Sequence, residues 1–421
     1  MKRNTATKAA RLLLVVLLSI APRVDAVQEQ DGEKAQEPQS PTQPVRRAPD
    51  DEVPPISPIH GKTGLTFETS DGRYSTHVWF RGQFRYYYPF NLAPTTRAGF
   101  LEPAQSTFAV QRARLKVDGN VYRRWLKVYF EYDWVGTRLL DLRVTLAKYD
   151  WLALRVGQFK VLYNRERLDS SGRQQFVERS IVTRPFTLDR QPGITVGGHL
   201  FKERRADAWY FFGIFNGNGR GAANDDSSMM WVARYEWHFL KRPLPYAQSD
   251  VEFHQEPTGT LAFAAARNNS PFTRFSSGGG GQLEGFEPGQ PGQYGIRQFL
   301  EELAFKYRGF SVQQEFHWKD VEDTVNETTT ELRGTYVQAG YFLHGLVPSI
   351  PKPLEVAFRY AWVDPDVAIE GDNSTELTFA VNWFFDGHNN KLTFDYGYLT
   401  FEDRIGRLTE QRFRAQWDIS F

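Results

Sequence analysis

The sequence predicts an all-β fold, a 16-stranded antiparallel transmembrane β-barrel, and three observations predict it. The mean hydropathy of the 421 residues is only -0.51, although 15% of them are aromatic. Polar and apolar residues alternate with period two from Gly61 to the last residue. The chain also ends on an amphipathic run closed by an aromatic residue, Phe421. A barrel wall reconciles these features, because one side chain in two faces lipid and the next faces a polar interior.

Composition excludes the competing classes. The one notable apolar run, Leu12 to Ala21, is shorter than the ~20 residues of a spanning helix. Thirty-three Phe, nineteen Tyr and eleven Trp are too much large apolar surface for a disordered chain. With no Cys there is no disulfide framework, thiolate zinc site, iron–sulfur cluster or thiol nucleophile. Fifty-one Lys and Arg against fifty Asp and Glu leave a formal charge of +1, so no nucleic-acid partner is expected.

The N-terminus carries Lys2, Arg3, Lys8 and Arg11 before the apolar run and Val24-Asp25-Ala26 after it, the pattern of a secretory signal peptide over residues 1–26. Residues 27–60 are rich in Pro, Gln, Glu and Asp and read as a disordered periplasmic linker. The barrel is expected over 61–421.

Between Tyr74 and Tyr88, Val78, Phe80, Gly82, Phe84 and Tyr86 alternate with His77, Trp79, Arg81, Gln83 and Arg85. The same alternation marks 107–121 and 126–134. Further strands are expected near 139–149, 153–160, 193–200, 208–216, 229–239, 260–267, 297–307, 310–319, 331–343, 354–363, 375–385, 391–401 and 409–421. The total is sixteen, and an even number returns the chain to its starting side. Short connections such as Arg308-Gly309 then fall on the periplasmic side, and the long 160–192 and 268–296 on the outer side. Residues 240–259 break this rule, being long and periplasmic, so either that turn is unusual or a strand is miscounted. In the last strand Phe413, Ala415, Trp417, Ile419 and Phe421 share one face. That ending resembles the signal read by the barrel-assembly machinery, which makes the machinery an expected partner through Phe421, alongside outer-membrane lipid.

Sixteen strands enclose room for an aqueous channel. Over the first five strands the inward charges are Arg81, Arg85, Arg112, Arg114, Lys116, Lys127, Arg143 and Arg155, eight basic, against Asp118, Glu131, Asp133 and Asp141, four acidic. The long third outer loop carries Lys160, Arg165, Arg167, Arg173, Arg179, Arg184 and Arg190 against Glu166, Asp169, Glu178 and Asp189. Folded back into the pore, those guanidinium groups would focus a positive field on a passing anion and match its oxygens. Each of them could instead pair with a neighbouring carboxylate and pin the loop.

Several stretches resemble the phosphate-selective porins of the O and P type. They are Gly64-Leu65-Thr66-Phe67-Glu68-Thr69-Ser70-Asp71-Gly72, Gln111-Arg112-Ala113-Arg114-Leu115 with Asp118-Gly119, Glu131-Tyr132-Asp133, Leu154-Arg155-Val156-Gly157-Gln158-Phe159-Lys160, and Phe176-Val177-Glu178-Arg179-Ser180. The similarity is densest from about 64 to 200 and extends to Phe421. It implies a homotrimeric outer-membrane porin in which arginines and lysines guide small, phosphate-like anions to a constriction.

Rival readings have weaker support. A barrel phospholipase needs a Ser two residues after a His, and none of the eight histidines has one. Glu131 and Asp133 are read as wall charges rather than acid–base groups, so no enzyme and no cofactor are expected. Neither Asp364-Pro365-Asp366 nor Asp225-Asp226 has calcium-loop spacing, and no metal site is expected. A non-selective porin, or an adhesive barrel using the loop from Asn268 to Tyr294, remains as the alternative.

Overall fold

The computed structural model describes residues 56–60, 63–89, 96–276 and 280–421. The expected signal peptide, residues 27–55 of the expected linker, and Gly61 and Lys62 lie outside these. Within the linker range, Ile56–His60 forms a strand, β1, paired with β2, Leu65–Thr69. The register of β2 with Ser75 to Val78 of β3 continues the sheet at the lower part of that strand, where the last strand of the chain no longer reaches.

The barrel itself has the sixteen strands that the alternation predicts. They are β3 (Ser75–Tyr88), β4 (Thr107–Asn120), β5 (Leu126–Asp133), β6 (Arg138–Tyr149), β7 (Leu152–Lys160), β8 (Arg190–Leu200), β9 (Ala208–Phe215) and β10 (Met230–Trp237), followed by β11 (Thr258–Ser270), β12 (Tyr294–Tyr307), β13 (Phe310–Asp323), β14 (Thr328–Phe342), β15 (Leu354–Asp364), β16 (Ser374–Asp386), β17 (Asn390–Asp403) and β18 (Gly406–Ser420). Each pairs antiparallel with the next, and β18 closes on β3 from Phe413↔Tyr88 to Ser420↔Arg81. Phe421 extends the seam: its N–H and C=O bond to Phe80 at 3.0 and 2.8 Å. Full closure leaves no unpaired edge in lipid, the condition for a sheet to span a membrane.

Burial follows the strand period but with the polarity of a soluble protein reversed. On β10, Met230, Val232, Arg234 and Glu236 are buried inside, while Trp231, Tyr235 and Trp237 stand exposed on the outer face. The interior is filled by two inserted segments.

One is loop 161–189, which contains two single-turn helices, α1 (Arg165–Leu168) and α2 (Thr183–Phe186). Its Val161, Tyr163 and Leu188 join a cluster with inward residues of β9 to β12, and its Ile181, Val182 and Phe186 join a second with Tyr294, Leu332 and Tyr336. Each such side chain contributes about 1.5–3 kcal/mol when fully buried. The wall is dented to receive the loop: a Cβ at Gly334 would stand 2.5 Å from the Phe186 ring, and one at Gly340 1.9 Å from the Gln175 amide.

The other is 238–257, the connection whose length broke the expected rule. The strand count holds and the turn is unusual, because it folds inward from the opposite mouth. Leu244, Ala247, Gln248, Ser249 and Asp250 are buried. Gln248 N–H donates to the Arg173 carbonyl at 2.9 Å, and its side-chain oxygen accepts from Gln175 N–H at 2.8 Å. The two insertions meet inside the barrel.

Candidate functional site: a basic slot beside loop 161–189

Strand alternation delivers charged side chains to the interior, and on the β12 to β17 side those charges are spent on holding the loop. Four loop amides donate to carboxylates on four strands: Arg165 to Glu302 at 2.9 Å, Glu166 to Glu315 at 2.6 Å, Val177 to Asp395 at 2.9 Å and Ile181 to Glu376 at 2.9 Å. Loop carbonyls are capped by cations and amides of the same wall. Arg359 donates to Glu178 O at 3.0 Å, Lys319 to Pro185 O at 2.8 Å and Gln298 to Phe186 O at 2.7 Å, and Lys391 reaches Gln174 O. A loop with only two single helical turns leaves most of its backbone groups without partners of its own, and buried ones must be paired.

With the loop held to that side, space remains on the other. A cavity of about 840 Å³ runs along the inner faces of β4 to β9, lined by twelve basic side chains and five acidic ones. From the wall come Arg112, Arg114, Lys116, Lys127, Arg138, Arg143 and Arg155, from the strands and loop beside them Lys160, Arg167, Arg179 and Arg190, and from the β9–β10 connection Arg220.

Some of these cations are neutralised where they stand. Arg114 reaches Glu131 and Asp133 at 3.1 Å each, and Arg190 bonds Asp141 at 2.6 Å and lies 3.3 Å from Glu131. Arg167 donates to Asp189 at 2.8 Å. Others face carbonyls or rings rather than carboxylates. Lys160 donates to Leu168 O and Asp169 O at 3.1 and 3.2 Å, and Arg179 to Glu166 O and Asp169 O at 2.8 and 3.0 Å. Arg155 lies over the Phe159 ring at 5.3 Å. Carbonyl pairing orients a cation without cancelling its charge. Burial, with the neighbouring Arg167 charge, lowers Arg179 to about 10, which leaves it charged at neutral pH. Burial pushes the Glu178 carboxyl up, but Arg85 and Arg112 outweigh it and hold the group well below the usual carboxylate range.

Ten of the fifteen basic residues singled out in the sequence thus surround one cavity, and five do not. Arg81 bonds Asp418 at 2.6 and 2.8 Å and Ser171 at 3.0 Å. Arg85 bonds Gln416 and the Val177 carbonyl and pairs with Glu178 at 2.5 Å. Both anchor the loop. Arg165 is fully buried between Glu236 and Glu302 at 3.7 and 3.9 Å. Arg173 is exposed where the loop meets 238–257. Arg184 lines a second cavity of about 740 Å³ among Phe100, Ile181, Pro185, Phe286 and Tyr294. Arg138 and Arg220 were not singled out. Arg220 sits in Gly217-Asn218-Gly219-Arg220-Gly221, whose backbone approaches the wall closely enough for Gly221 N–H to bond Gln158 at 2.7 Å, and the glycines are its only sequence signal.

Solved porins share this architecture. The outer-membrane channel DcaP of Acinetobacter baumannii is 12% identical with a TM-score of 0.55, covering 85% of this chain and 100% of that one. An anion-selective porin from Comamonas acidovorans is 12% identical with a TM-score of 0.53, covering 83% and 100%. The trimer form of OmpT from Vibrio cholerae is 10% identical with a TM-score of 0.51, covering 82% and 99%. At these identities the likeness concerns the fold. No curated protein matches the chain. The family model for phosphate-selective porin O and P matches residues 92–269 and 285–409. This bacterial outer-membrane β-barrel, a channel in family and fold, belongs to the phosphate-selective porin O and P family.

Proposed function

We propose that the protein is a passive diffusion channel for small anions, phosphate among them, and that the slot along β4 to β9 is their path. The observation that carries this is the twelve-to-five excess of basic side chains around one cavity. Low-dielectric walls focus such a field, and an anion exchanging water for guanidinium and ammonium donors finds several in succession. Loop 161–189 is the constriction, entering from the outer mouth, with Lys160 and Arg179 as its guiding residues and the carboxylate-paired Arg167 and Arg190 lining the path beside them. The barrel works as a homotrimer, as the trimeric form of the Vibrio cholerae neighbour suggests. It reaches the membrane after removal of residues 1–26, its Phe421 strand being read by the assembly machinery. It has no catalytic role.

The test is a planar bilayer under a salt gradient. The reversal potential is expected to report anion preference, and phosphate is expected to reduce the chloride current. The combined variant Arg112→Gln, Arg155→Gln, Arg179→Gln should lose most of that preference while still conducting. Cation preference in the unaltered protein would sink the reading, and selectivity unmoved by the combined variant would displace the path from this slot.

A further inference from the structure

The inner ends of three consecutive strands bring together two histidines and an aspartate. His199 lies at the end of β8, Asp207 just before β9 and His238 just after β10. The register pairs Leu200 and Trp237 with the same residue, Ala208, and His238 N–H bonds the Asp207 carbonyl at 2.8 Å. The side chains converge on one atom: His199 Nε2 and His238 Nδ1 each stand 2.6 Å from Asp207 Oδ1. The three potential ligand atoms all lie within 4.8 Å of one another.

With His238 neutral, hydrogen bonding alone leaves this cluster with a defect. If a neutral His238 donates from Nδ1 to Asp207, its Nε2 carries a lone pair, and that atom faces Glu236 Oε1 at 3.6 Å. Both atoms are buried without a hydrogen-bond partner. A metal on Nδ1 removes the conflict, because Nε2 then keeps the proton and directs it at Glu236. The carboxylate–histidine–metal arrangement recurs in metalloproteins for this reason. Asp207 is fixed in turn by Glu203 N–H, which donates to Oδ2 at 2.6 Å and leaves Oδ1 for the centre.

We propose that His199, Asp207 and His238 form a zinc(II) site at the inner end of the basic slot. Two imidazoles and one carboxylate suit a borderline ion such as zinc, whereas calcium and magnesium favour all-oxygen sets. Three protein ligands leave a coordination position open. His199 and Trp209 line the slot, so that position faces the solute path, and a bound ion adds positive charge where an anion enters or leaves.

The test uses tag-free mature protein, chelator-treated and folded in detergent, and does not depend on which solute the pore passes. Titration with zinc chloride, followed by calorimetry, is expected to give one ion per chain at micromolar affinity or tighter. Cobalt(II) in its place is expected to show the visible bands of a nitrogen-ligated, low-coordinate ion. His199→Gln and Asp207→Asn should each weaken zinc binding by at least about tenfold, with the heat-dependent electrophoretic shift of the folded barrel retained. Should His199→Gln not fold, the cobalt spectrum of the unaltered protein still decides. No binding up to millimolar zinc, binding indifferent to both variants, or an oxygen-only cobalt spectrum would each overturn the proposal.

Discussion

Arg165 and Arg167 are two residues apart in the same loop, yet the fold gives them different work. Arg165 Nη2 donates to the Leu244 and Pro245 carbonyls at 3.2 and 2.6 Å, and its guanidinium lies over the Tyr246 ring at 4.8 Å, with Glu236 and Glu302 beside it. Arg167 lines the slot, paired with Asp189. Arg165→Met would leave Arg234 alone to balance two buried carboxylates and should cost on the order of 2–4 kcal/mol. The expected readout is a lower denaturant midpoint for the loss of the folded electrophoretic form, with reversal potential unchanged. Arg167→Gln should do the opposite, shifting the reversal potential toward cations with little loss of stability. The difference was not legible in the sequence. Strand residues such as Arg112 and Arg155 declare their side through a period of two, fixed by backbone geometry. A loop has no such period, so its basic residues could be placed beside the channel only as a group.

Among elements, the strands were legible and the insertions only half so. All sixteen were found because each has a lipid-facing and an inward-facing row, and burial forces the alternation. Loop 161–189 and turn 238–257 announced themselves by length, but nothing local to the turn says that it points inward. Its burial is a tertiary outcome: Leu244 and Pro245 supply carbonyls to Arg165, Gln248 bonds the loop backbone twice, and the Ser249 carbonyl accepts from Lys306 at 2.9 Å. β1 was missed for a related reason. Ile56-Ser57-Pro58-Ile59-His60 reads as the end of a Pro-rich spacer, and only its partner β2 makes it a strand. The turn supports the loop from the side opposite the outer mouth, so replacing residues 243–249 with a short Gly/Ser link should free the Arg165 end of the loop. Single-channel recordings are expected to show a larger and noisier conductance. An unchanged trace would mean that the β12 to β17 wall holds the loop unaided.

The near-zero net charge of the molecule conceals a division of labour around its circumference: on one side carboxylates and cations hold the loop, on the other cations predominate. The outer surface differs in the same sense, with exposed aromatic side chains predominating on one side and aliphatic ones on the other. Over β12 to β18 it carries exposed Phe299, Phe358, Tyr360, Phe379, Phe394, Tyr396, Phe413 and Trp417. Over β6 to β8 it carries Leu142, Val144, Leu146, Leu154, Val156 and Ile194. Aromatic side chains belong at lipid headgroups, where an apolar ring with a polar edge is at home. A strip of aliphatic residues has no such preference and packs well against a second copy of itself, so in the proposed homotrimer the slot-bearing wall should face the threefold axis. Because the natural chain has no cysteine, single labels can be placed without background. A nitroxide on Val144→Cys in lipid vesicles is expected to be shielded from dissolved oxygen, and one on Phe379→Cys to collide with it freely. Equal accessibility would leave the β6 to β8 face in lipid and the trimer, if formed, built on another wall.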